Sequence, residues 1–125
     1  ERLDHLEFLS RQGMTVDIVE LMYLTPEEFY LPAGAGEEVE RWRAAHYATA
    51  WSLVYFLRRG APVVFPDRNY HQIPDRIVAH LQDHPNAFSP AVDRALAGMD
   101  PDQLREDYQA FWESKRLRGQ ARRGR

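Results

Sequence analysis

Residues 44–57, Ala44-Ala45-His46-Tyr47-Ala48-Thr49-Ala50-Trp51-Ser52-Leu53-Val54-Tyr55-Phe56-Leu57, constrain this chain more than any other stretch. At about 100° per residue a helix places Tyr47, Trp51 and Val54 on one side, Leu53 and Leu57 on another, and Ala45 and Phe56 on a third. A helix apolar on so many sides has to be surrounded by others. The expected class is therefore all-α: a compact bundle of about six or seven helices around a buried central aromatic helix.

The length of 125 residues suits one domain with one core. No run of about 18 apolar residues occurs, so no membrane span is expected. The absence of cysteine excludes disulfides and thiolate metal sites. The net charge of −3 hides an uneven distribution, because Lys115, Arg116, Arg118, Arg122, Arg123 and Arg125 crowd the C-terminus with no acid among them. Residues 1–113 are accordingly assigned to a helical domain and 114–125 to a basic tail expected to be disordered. No aromatic residue is interleaved there to stack a base, and no nucleic-acid partner is expected. The opening Glu1-Arg2-Leu3-Asp4 has neither an initiator methionine nor a signal-peptide pattern, and the chain reads as a piece of something longer.

Along the chain, Leu3, Leu6 and Leu9 before Gly13 predict a first helix, and a second begins near Thr15 or Val16. Thr25-Pro26-Glu27-Glu28 has the form of a capping box with proline at the first helical position. After a loop at 31–36, the central helix is expected from about Glu37 to Arg59, ended by Arg58 and Arg59 at the negative pole of the dipole and by a Gly60 cap. Residues 61–74 hold three prolines and no helical period, which predicts a long loop. Ile73, Ile77 and Leu81 mark a further helix. Ser89-Pro90 predicts the cap of a short one ending at Gly98, and Asp100-Pro101-Asp102-Gln103 the start of the last, with Leu104, Tyr108, Phe111 and Trp112 on one face.

Chemistry-bearing patterns are sparse. His80 and His84 stand at i and i+4, a spacing that lets two imidazoles reach one ion, but Leu81 occupies the position where a catalytic zinc helix carries glutamate, and the plainer reading is a surface pair. His5, His46 and His71 are isolated. The acidic pairs Glu27-Glu28, Glu37-Glu38 and Asp100-Asp102 are accounted for by helix starts. No phosphate-binding glycine loop or nucleophile elbow is present.

The run from Tyr47 to Leu57 resembles the Tyr-Ala-x-x-Trp-x-Leu-Val-x-x-Leu helix of bacterial peptidase-MA-like proteins, relatives of the gluzincin zinc metallopeptidases. The similarity extends from the leucine-rich first helix, through Leu24-Thr25-Pro26-Glu27-Glu28-Phe29, to Asp100-Pro101-Asp102-Gln103-Leu104 and Trp112. It implies the helical half of a two-part protein, with zinc expected in the absent half that carries His-Glu-x-x-His. It also implies an extracytoplasmic bacterial setting and a peptide substrate. By position it implies a catalytic role for Tyr47, since a phenol with a pKa of about 10 stays protonated at neutral pH and can donate to an oxyanion. Taken on its own, a tyrosine on a helix apolar on all sides is more often a core residue than a functional one. This chain lacks every zinc ligand of that pattern, so no hydrolysis is expected from it alone. The alternative is a self-contained helical interaction module that binds a protein partner through residues 61–74 or the last helix.

Overall fold

The computed structural model, which describes residues 15–30 and 36–123, is α-helical with no strand among them. The helices are α1 (Ile18–Tyr23), α2 (Pro26–Tyr30), α3 (Glu37–Tyr55), α4 (Ala61–Val64), α5 (Gln72–Asp83), α6 (Phe88–Ala95) and α7 (Pro101–Arg123). A π-helical turn, Phe56–Gly60, joins α3 to α4, and a 3-10 turn, Pro66–Arg68, precedes α5. The predicted leucine-rich first helix and loop residues 31–35 lie outside the described residues. None of the described helices is long and apolar enough to cross a membrane.

The chain divides into two compact units inside α3, the first ending at Leu53 and the second beginning at Val54. In the first, Asp17 caps α1 by accepting from the Glu20 N–H at 2.9 Å. Thr25 and Glu28 form a reciprocal capping box: Thr25 Oγ1 accepts from Glu28 N–H at 3.2 Å, and Glu28 Oε1 accepts from Thr25 N–H at 2.9 Å. The side of α3 that is buried carries small residues, Ala45, Ala48, Thr49 and Ser52, together with Leu53. Val16 and Trp42 close over Ala45 and Ala48. The Ser52 hydroxyl, sealed from water, donates to the Thr49 carbonyl at 2.7 Å, so no polar atom is stranded there.

In the second unit the large aromatics come together. Phe56 is completely buried, with ring centroids of Phe111 at 5.3 Å, Tyr108 at 5.7 Å, Tyr70 at 5.9 Å and Phe65 at 6.3 Å. Helices α5 and α6 pack against each other, and α7 packs on the π turn. Asp100 starts α7 as a true N-cap, its Oδ1 accepting from Asp102 N–H at 3.0 Å. Gly98, at φ +80, supplies the left-handed turn before it. The last helix runs on to Arg123, through much of the segment assigned to the tail.

Three local expectations are corrected. Gly60 does not end the central helix: its φ of −83 is right-handed, the chain stays helical to Val64, and the Ala61 N–H reaches the Phe56 carbonyl in the wider i to i+5 pattern. Pro62 accounts for the widening, because its ring would collide with the Arg58 carbonyl in an uninterrupted α-helix and it has no N–H to give. Residues 61–74 are not a long loop, since Pro62, Pro66 and Pro74 each sit in the first turn of a helical piece, where a missing N–H is of no consequence. Ser89 is not a cap, because α6 already begins at Phe88 and no side chain caps it.

Candidate functional site

Tyr47 lies on α3 and is not a core residue: half its surface is exposed. The edge of its ring meets Phe29 of α2, with centroids 5.3 Å apart and planes at 80°. His46, the preceding residue, uses the same support. Its ring stands 5.6 Å from Phe29, and its Nδ1 lies 2.8 Å from the Phe29 carbonyl oxygen. A carbonyl can only accept, so Nδ1 is the donor in this contact. The capping box that starts α2 thus fixes Phe29, and Phe29 holds two neighbouring side chains of α3. An accessible phenol orientated by an aromatic edge can donate a hydrogen bond to a developing negative charge. Trp51, one turn on, is half-buried.

His71 is exposed, His5 lies outside the described residues, and His80 and His84 pair with each other, ring centroids 4.8 Å apart. No group of three or more His, Cys, Asp or Glu side chains able to hold a metal occurs among the described residues.

The most elaborate polar arrangement was not anticipated from the sequence. Asp107 of α7 is buried; its Oδ2 accepts from the Tyr70 hydroxyl at 2.6 Å and from Arg68 Nε at 3.1 Å, and its Oδ1 accepts from Gln103 Nε2 at 2.9 Å. Tyr70 is buried with it while Arg68 closes the network from the surface, and the network fastens the 66–71 segment to α7. The available signal was faint: Gln103 and Asp107 stand at i and i+4 on a helix otherwise rich in exposed charge.

Burial, then the hydrogen bond to Asp107 and the charge of that carboxylate, push the Tyr70 hydroxyl above the ordinary phenol range. The native state therefore holds this proton more tightly than the unfolded chain. The associated stability is intact below a pH of about 10 and is lost as pH rises above it. In an alkaline titration followed by phenolate absorbance, Tyr70 should stay silent until the protein unfolds, and Asp107→Ala should make it titrate at lower pH than in wild type, with burial still holding it above the ordinary phenol range. The same variant should lose about 1–3 kcal/mol of stability, because the buried hydroxyl is left without its acceptor.

No protein-family model matches the chain, and no curated protein or solved structure was found to be similar to it.

Proposed function

We propose that this chain is a helical subdomain that does no chemistry alone, packs against a metal-bearing half of a longer peptidase-like protein, and presents Tyr47 to the substrate cleft. The observation that supports this reading is the half exposure of Tyr47 on the edge of Phe29. A tyrosine kept purely for packing would be expected to bury its ring, as Tyr70 does at 3 % exposure. Zinc in the other half would supply the activated water. Tyr47 would donate its hydroxyl proton as a hydrogen bond to the tetrahedral oxyanion.

The test is Tyr47→Phe in the natural full-length polypeptide, which retains the ring that meets Phe29 and removes only the hydroxyl. Loss of one oxyanion donor should lower kcat about 10²–10³-fold with KM and thermal unfolding little changed. Turnover at the wild-type rate, or a natural reading frame with no metal-ligating motif, would end this proposal.

The second reading, a self-contained interaction module, is favoured by Val63 and Val64. These adjacent side chains are 79 % and 48 % exposed at the end of α4, within the stretch expected to meet a partner. Exposed apolar neighbours of this kind suit a protein interface. This reading takes over if the full-length polypeptide carries no metal-bearing half.

A further inference from the structure

His84 closes α5, and its position is fixed from both sides. Its N–H donates to the His80 carbonyl at 2.9 Å, while its own carbonyl accepts from Ala87 N–H at 3.0 Å. Pro85 follows directly and disfavours helical backbone at residue 84, which is observed at φ −137 and ψ 76. The backbone thus leaves the helix at His84 while its ring stays over that of His80, with centroids 4.8 Å apart and planes inclined at 36°. His84 is exposed and His80 half-buried. Among the described residues, no hydrogen bond or ion pair engages either imidazole.

That separation has a chemical meaning. With a metal–nitrogen bond of about 2.05 Å and about 1.15 Å from ring nitrogen to centroid, an ion on the lone-pair axis lies about 3.2 Å from each ring centre. Coordination angles of about 90–109° then correspond to centroid separations of about 4.5–5.2 Å. The observed 4.8 Å falls inside this window. The direction of each lone pair is set by the second side-chain torsion, which is broad for histidine. The end of α5 adds the negative pole of the helix, which favours a cation.

We infer that His80 and His84 form a two-imidazole site for a divalent late first-row transition metal, its other positions open to water. Neutral imidazole selects nickel, copper and zinc over magnesium and calcium, which prefer oxygen. This site is independent of the role assigned to Tyr47.

The test titrates the full chain with Ni²⁺ at neutral pH, following heat and the histidine ring signals by NMR. One ion should bind per chain, broadening His80 and His84 before His71. His80→Ala or His84→Ala should weaken binding about tenfold or more by removing half of the chelate, while His71→Ala leaves it unchanged. Circular dichroism confirms that the variants fold, as substitutions at these accessible positions should allow. The inference is overturned if wild type shows no saturable binding below about 1 mM, or if His80→Ala/His84→Ala binds as tightly as wild type.

Discussion

Phe56→Ala should remove about 3–5 kcal/mol of stability, the largest loss expected from any single truncation in this chain. Phe56 has no exposed surface and touches the rings of Phe65, Tyr70, Tyr108 and Phe111, which belong to three different parts of the second unit. Deleting it forfeits the transfer energy of the ring and leaves a cavity whose walls are aromatic and slow to collapse. Against a typical domain stability of about 5–15 kcal/mol, such a loss is about a fifth of the total or more. Urea unfolding followed by circular dichroism should show a midpoint displaced far downwards. Phe56→Leu, which keeps most of the volume, should lose substantially less. A Phe56→Ala midpoint close to wild type would mean that the aromatic cluster does not hold this unit together.

The signals that were legible in the sequence are those whose physics is local. Thr25 and Glu28 satisfy one another across a single turn, so the capping box could be read from four residues and is found as read. Asp100 and Gly98 act on the backbone within two or three positions of themselves, and both do what their chemistry suggests. The prolines at 62, 66 and 74 misled because their density reads as a broken chain, whereas proline is tolerated in a first turn and short helical pieces can follow one another. Asp107 was hidden for a different reason. A carboxylate in a helix rich in charged residues has the pattern of a solvated face, and nothing local shows that Tyr70 and Arg68 arrive to cover it.

At the candidate site the same division applies. The residue type and position of Tyr47 were legible, but its exposure was not. Helical periodicity sets which side of α3 a residue occupies without saying which side meets protein. Here the deep side is the one lined by Ala45, Ala48, Thr49 and Ser52, whose short side chains admit close neighbours, and Tyr47 is left half in solvent. The supporting contact from Phe29 depends on how α2 approaches α3, which no pattern within either helix sets.

Gly60→Ala opposes a local rule to a long-range one, and the long-range one should win. Gly60 has right-handed helical geometry, so alanine would ordinarily stabilise it by about 1 kcal/mol through reduced backbone entropy. A methyl group at this position, however, would stand 2.5 Å from Phe111 Cε1, far inside the contact distance of about 3.5–4.0 Å between carbons. Phe111 cannot swing clear. It is 4 % exposed and is wedged between Phe56 at 5.3 Å and Trp112 at 5.1 Å. Overpacking of this kind costs about 1–3 kcal/mol, and more where the neighbour is rigid, so the net effect should be destabilising in spite of the gain in helix propensity. The two contributions separate in a double-mutant cycle. In the Phe111→Leu background, where the offending ring is gone, Gly60→Ala should lose much of its penalty, giving a coupling of about 1 kcal/mol or more between two residues distant in the chain. A midpoint that rises in the single Gly60→Ala variant would show that glycine is present for reasons of local backbone freedom alone, and that the close approach of Phe111 does not govern this position.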